Sequence, residues 1–404
     1  MSTPPDLRAE RRQRPKDRKE QIARASAEAF SELGYHGVSM EEIAARVGVT
    51  AASLYRHYSR KYDLFRVAVL ALGEQLVECT AFVDDGEASD DDPRLTWDRL
   101  VRELIDVTLR NRTSGGLYRW EGRYLEDADQ QVLNSQIKLV NRRLQKPLNR
   151  LRPTLGSRAR WTLSSSVLSV IGSITDHRAQ LAPERIRNVL HNITTAIRDS
   201  DLPDASPTTD LVRSSEVGAA AGEYELILHE AMLLFNDRGY RDAGMDDIAA
   251  AANLPTTSLY RFFSGKGAIL ATTYRRAADR VSSDVSTILA ATDDPREAVR
   301  QLIDVYVRRS FENPELAYVY YAERNNVPVE DQMALHNIQR ATIEAWVRQV
   351  VAARSDMDAG DARFAVHAAF SLVVDLGRLM QYERKAASRD VVCHLVRTTL
   401  LGPQ

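Results

Sequence analysis

The tetrapeptide Ser53-Leu54-Tyr55-Arg56 returns unchanged, 205 positions later, as Ser258-Leu259-Tyr260-Arg261. Its flanks register without a gap. Phe30 meets Phe235, Gly34 meets Gly239, Tyr35 meets Tyr240, Met40 meets Met245, Ile43-Ala44-Ala45 meets Ile248-Ala249-Ala250, and Lys61 meets Lys266. A block of this length copied once is a supersecondary unit written twice. Two copies are too few for a solenoid, so the chain is constrained to a duplicated domain with two quasi-equivalent surfaces. Downstream, Leu104-Ile105-Asp106-Val107 recurs as Leu302-Ile303-Asp304-Val305, and Ala159-Arg160-Trp161 as Ala362-Arg363-Phe364. The offset has shortened there because the acidic loop from Asp84 to Pro93 has no counterpart.

The local code of the first copy is helical. Asp17 and Glu20 have the spacing of a capping pair, and Ile22, Ala25, Ala29, Phe30 and Leu33 form one stripe of a helix that Gly34 stops. Ser39 and Glu42 have the spacing of a capping box for a second helix, which Gly48 ends in the left-handed conformation. Thr50 caps a third. On it Leu54 and Tyr58 face the core, while Ala51, Ala52, Tyr55 and Arg56 point outward. This is a helix-turn-helix pattern. In the second copy Gly244 replaces Ser39, Asn253 replaces Gly48 and keeps the left-handed turn, and Pro255 replaces Thr50. The remaining segments read as amphipathic helices, with no convincing strand, so an all-α fold is expected.

Composition adds direction. The 404 residues suffice for two or three domains, and the net charge of −2 conceals a gradient. Arg8, Arg11, Arg12, Arg14, Lys16, Arg18 and Lys19 crowd the start, which points to an anionic partner. Cys79 and Cys393 are the only cysteines, which fits a reducing compartment rather than a disulfide framework. The sequence has no apolar run of membrane-spanning length and no signal-peptide core, so a cytoplasmic protein without a membrane partner is expected. The expected order is a disordered arm (1–16), a helix-turn-helix domain (17–65), a helical regulatory domain (66–200) and a Pro/Ser/Gly linker (201–221). A second helix-turn-helix domain (222–270) and a second regulatory domain (271–404) follow.

Catalytic patterns are weak. The chain has no glycine-rich phosphate loop, nucleophile elbow or metal-spaced histidine pair, so neither an enzyme nor a cofactor nor a metal is expected. Ser164-Ser165-Ser166 reads as packing residues bonded to their own backbone, and His367 as a satisfied core residue.

Leu54-Tyr55-Arg56-His57-Tyr58 with Lys61, and Leu259-Tyr260-Arg261-Phe262-Phe263 with Lys266, resemble the helix-turn-helix motif of TetR-type transcriptional repressors. The tandem arrangement resembles the duplicated TetR-type repressors of actinobacteria, some of them associated with lipid or steroid genes. The resemblance implies two fused TetR-like halves, each a three-helix unit that binds double-stranded DNA plus a helical bundle for ligand and dimerisation. Short residues at the start of a recognition helix let its backbone enter the major groove, as Ala51 and Ala52 do. The implied DNA contacts are Thr50, Ala51, Ala52, Tyr55, Arg56, His57 and Lys61, then Thr256, Thr257, Tyr260, Arg261 and Lys266, with Arg14 and Lys16 of the arm entering a minor groove. The implied activity is repression relieved by a small apolar effector, with Trp120, Tyr124 and Trp161 in one half and Tyr320, Tyr321 and Trp346 in the other lining cavities. The competing expectation is a helical interaction protein in which one or both helix-turn-helix units no longer bind DNA. Helices headed by Trp161 and Phe364 are expected to pack together, with those after Pro183 and Ala386 completing a pseudo-dimer bundle.

Overall fold

The computed structural model describes residues 15–84, 92–203, 222–383 and 386–403, and among them all regular structure is helical. The linker and acidic-loop expectations fall largely outside these residues, as does Arg14. The first unit contains α1 (Pro15–Gly37), α2 (Met40–Val47) and α3 (Ala51–Tyr55), and its fourth helix, α4 (Lys61–Cys79), leads away. The first regulatory bundle adds α5 (Pro93–Arg110), α6 (Asp127–Leu151), α7 (Ser157–Gly172) and α8 (Pro183–Asp199). The second half repeats the order as α9 (Glu223–Arg238), α10 (Met245–Ala251), α11 (Thr256–Tyr260), α12 (Lys266–Ala291) and α13 (Pro295–Glu312). It ends with α14 (Pro314–Glu323), α15 (Val329–Ala353), α16 (Ala359–Leu379) and α17 (Ala386–Leu401).

The caps follow the local chemistry. Ser39 accepts the Glu42 N–H at 3.1 Å, Thr50 accepts that of Ser53 at 3.3 Å, and Gly48 takes φ 68°. In the second copy glycine has no side chain to accept the Asp247 N–H, and the Asp247 carboxylate instead accepts the Gly244 N–H at 2.7 Å, the reciprocal half of a capping box. Asn253 adopts φ 54°, as the sequence implied. One cap is misplaced in the sequence reading. α1 begins at Pro15, where a missing N–H costs nothing, so Asp17 lies inside the helix instead of capping it. Leu33, placed on the buried stripe, is 38% exposed.

Three cores result. Each helix-turn-helix unit has its own, built around Phe30, Ile43, Leu54 and Phe65 in the first and around Phe235, Ile248, Leu259 and Ile269 in the second. The third is continuous across both halves, joining Trp97, Leu104, Val167 and Ile186 to Ile303, Trp346, Phe364 and Leu395. Its seam is a four-helix arrangement in which α7 packs on α16, and α8 on α16 and α17. Polar pairs fix the register along it. Ser169 donates to Asp375 at 2.6 Å, Arg185 to Asp361 at 2.7 Å, and Ser200 Oγ lies 2.6 Å from His394 Nε2. His177, buried, and His367, partly buried, stack across the same seam at 3.9 Å. Ser164 and Ser165 are bonded to Asn141, and Ser166 to the Thr162 carbonyl. Among the described residues no helix is long and apolar enough to cross a membrane.

Candidate nucleic-acid interface

α3 is five residues long and is held by one deeply buried anchor, Leu54, with Tyr58 buried just beyond it. Burying that face leaves Ala52, Tyr55, Arg56 and His57 exposed, with Ala51 partly so, and the Tyr55 ring is 51% exposed. Arg56 makes no ion pair among the described residues. An exposed tyrosine, arginine and histidine behind two alanines form a slim, polar, cationic ridge suited to a groove lined with phosphates. Lys16 lies in the first turn of α1.

Lys61 does not join this ridge. Its ammonium donates to the Tyr35 carbonyl at 2.9 Å and sits 4.5 Å from the Tyr35 ring centroid. Lys266 does the same in the second copy, donating to the carbonyls of Tyr240 (2.7 Å), Arg241 (3.0 Å) and Ala243 (2.9 Å). Lys61 and Lys266, both implied as DNA contacts, are thus engaged within their own units instead. Each ties off orphan carbonyls at the end of its unit's first helix, and desolvation there lowers both pKa values.

The second ridge has the same shape but different electrostatics. Tyr260 is 57% exposed and Phe262, in the place of His57, 41% exposed. Thr257 is free, but the Thr256 hydroxyl donates to Asp246 at 2.7 Å, and Arg261 pairs with Glu223 at 2.7 Å. Glu223 stands at the position equivalent to Arg18, Ala251 at that of Arg46 and Gly265 at that of Arg60. The polar groups that would reach DNA are thus partly occupied by local carboxylates.

Behind the ridges, each unit is gripped by a carboxylate from its own regulatory half. Glu121 accepts the Tyr35 N–H at 3.4 Å, and Glu323 accepts the Tyr240 N–H at 2.9 Å. Burial raises the Glu121 pKa from 4.5 to about 7. Glu323, 1% exposed, is paired across the halves with Arg123, and Asn326 donates to its other oxygen at 2.6 Å. Alongside, Arg119 reaches Asp176, Asp375 and Ser371. None of these four residues was singled out from the sequence, although Glu121 and Glu323 fall at equivalent places between the two later repeats.

Two cavities adjoin this layer. The larger, about 490 Å³, lies in the first half and is closed by the second, between Leu72, Trp120, Arg123, Trp161, Tyr318 and Asp375. The smaller, about 160 Å³, is walled by Tyr274, Tyr306, Tyr320, Tyr321 and Phe370. Trp120, Trp161, Tyr320 and Tyr321 therefore line cavities. Tyr124 and Trp346 line neither of these two. Tyr124 packs between Tyr35 and His36 of the first unit and against Gly239 of the second, where a Cβ would come within 3.0 Å of its hydroxyl. Trp346 is 1% exposed, wedged against Tyr306 and Phe370. Trp120 also stacks on Tyr321 of the other half at 5.0 Å, and its indole N–H donates to Asp176 at 2.8 Å.

Residues 22–68 and 227–273 each match the N-terminal domain described as bacterial regulatory proteins, tetR family. Among similar curated proteins, the HTH-type transcriptional activator FasR of Mycolicibacterium smegmatis is 27% identical over 164 residues, which is 41% of this chain and 74% of that protein. The biofilm operon icaADBC HTH-type negative transcriptional regulator IcaR of Staphylococcus epidermidis is 24% identical over 125 residues, 30% of this chain and 52% of its own length. Among solved structures, AibR in complex with isovaleryl coenzyme A and operator DNA is 19% identical and covers 44% of this chain and 97% of its own, with a TM-score of 0.38. A tetR-family regulatory protein from Rhodococcus RHA1 is 15% identical and covers 45% of this chain and 95% of its own, with a TM-score of 0.40.

Proposed function

We propose that this chain, in which the N-terminal domain of the tetR family is matched twice, is a one-component, DNA-binding transcriptional regulator. The observation that carries this reading is the ridge of Ala52, Tyr55, Arg56 and His57, exposed on a helix whose opposite face is anchored by Leu54. Thr50 and Ala51 complete the contact set, with Arg14 and Lys16 following an adjacent groove. Thr257 and Tyr260 make lighter contacts in the second unit, whose Thr256 and Arg261 are held by carboxylates. The same reading divides the chain at 16, 65, 200, 221 and 270.

The effector occupies the larger cavity and lowers DNA affinity. At about 490 Å³ that cavity is of the size that holds small molecules, whereas about 160 Å³ is below it. Its Leu72, Leu104, Trp120 and Leu168 walls favour a largely apolar body, such as a lipid or steroid.

Selection of bound fragments from genomic DNA supplies the operator, and the double variant Tyr55→Ala/Arg56→Ala then tests the ridge. It should lose about 1–3 kcal/mol of binding and reduce the salt slope by about 1, with helicity unchanged. Wild-type affinity and slope in a folded variant would remove the ridge from the interface.

A further inference from the structure

Arg123 stands where the larger cavity meets both DNA-binding units. It lines the cavity, and its Nη2 is shared between Tyr124 Oη (3.1 Å) and the buried Glu323 carboxylate. Its Nε and Nη1 are buried with no hydrogen-bond partner. A guanidinium offers five donors, so this one is underused, and a carboxylate that takes the Nη1–Nη2 end bidentately satisfies the idle Nη1 and competes with Glu323 for Nη2. Arg119, the other arginine next to Trp120, also has an unpartnered Nε, but its charge is already balanced by two carboxylates, Asp176 at 3.2 Å and Asp375 at 2.8 Å, which disfavours a third. The rest of the wall includes Leu72, Leu76, Leu104, Leu133, Ile137 and Leu168.

We propose that the first-half cavity takes an amphiphile with a carboxylate head and an apolar body, and that its head draws Arg123 away from Glu323, releasing the second DNA-binding unit. The consequence for DNA rests on the regulator reading above. The preference for a carboxylate head does not.

The route of release is short. Glu323, 1% exposed, keeps its charge buried because Arg123 neutralises it. Without that partner the carboxylate must turn toward water or take up a proton, and either loosens its grip on the Tyr240 N–H. Tyr240 is also the residue whose carbonyl receives Lys266, so a shift there reaches the start of α12 and the turn after the recognition helix α11. Tyr124, held by the same guanidinium nitrogen, rests against Gly239 one residue earlier. The latch is one-sided. In the spacing that pairs Glu121 with Glu323, Arg123 corresponds to Asn325, a neutral residue that donates to the Ser31 carbonyl of the first unit. The second half therefore bonds no matching cation to Glu121, which feels Arg123 only through space, so the hydrogen bond that is lost directly is the one on the second unit's Tyr240 side.

Dodecanoate and 1-dodecanol share a tail and differ in the head, and the indoles of Trp120 and Trp161 in the cavity wall report binding by fluorescence. The full chain should bind dodecanoate at least tenfold more tightly than the alcohol. Arg123→Gln should reduce dodecanoate to the alcohol's level without changing alcohol binding. Glu323→Gln, which keeps an acceptor for Tyr240 but removes the competing charge, should tighten dodecanoate severalfold and serves if the arginine variant does not fold. Amide hydrogen exchange with dodecanoate should speed up at Tyr240 and not at Tyr35. Equal affinity for both probes, no binding of either, a head preference that survives Arg123→Gln, or unchanged exchange at Tyr240 would overturn the proposal. None of these readouts involves DNA, so they stand apart from failure of the Tyr55/Arg56 test.

Discussion

Lys61 shows what a single residue's spacing leaves open. The position reads as a cation just past the recognition helix, and the side chain is long enough either to reach a phosphate or to fold back. The choice is made by three-dimensional neighbours that the local sequence does not encode, the Tyr35 carbonyl at 2.9 Å and the Tyr35 ring. Lys61→Met should therefore destabilise the first unit by about 1.5–3 kcal/mol, the scale of a lost charge-assisted bond, measured by denaturant unfolding with exchange protection at α1. The salt slope of DNA binding should stay as in wild type. Unchanged stability with a slope shallower by about 0.9 would return Lys61 to the phosphate contacts. Tyr55 and Arg56 were legible because helical period alone puts them opposite Leu54. Arg123 and Glu323 were not, because their partnership joins residues 200 positions apart.

At the scale of elements, the informative piece is the turn Leu117–Glu121. Its sequence suggests an ordinary amphipathic helix after Gly115 and Gly116, but the backbone forms a π turn followed by a 3-10 turn. Three consecutive side chains there reach separate partners from this widened turn, Arg119 bonding Asp375, Trp120 bonding Asp176 and Glu121 accepting the Tyr35 N–H. Burial raises the Glu121 pKa from 4.5 to about 7, so between those values the folded protein keeps a proton that the unfolded chain has lost. Its contribution to stability is complete below about pH 4.5, falls as pH rises, and levels off above about 7. Buried His177 and partly buried His367, with pKa values below 6.5, act in the opposite sense as pH falls. Comparing thermal midpoints of wild type and Glu121→Gln from pH 5 to 8 isolates the carboxyl. The wild type should lose ground to the variant with rising pH. Parallel curves would mean that Glu121 titrates normally.

Across the whole molecule, duplication was the most legible property, because a gapless repeat around Ser53-Leu54-Tyr55-Arg56 needs no structure to be seen. The seam was partly legible. Helices headed by Trp161 and Phe364 do pack together, but Phe364 enters the shared core while Trp161 turns into the larger cavity. The divergence between the copies was legible as substitutions, Phe262 for His57 among them, but the pairing of Arg261 with Glu223 was not. The first recognition ridge has a free Arg56 and a His57, whereas the second has Arg261 paired with Glu223 and a Phe262. On the proposed function, one chain presents a strong and a weak half of a DNA reader, joined by a continuous core. The most direct measurement is the mass of the complex on its selected operator, by light scattering, together with a footprint of the same complex. One chain per site, over two dissimilar half-sites with the stronger protection on one side, is the predicted result. Two chains on a symmetric palindrome, each engaging only its first unit, would contradict it.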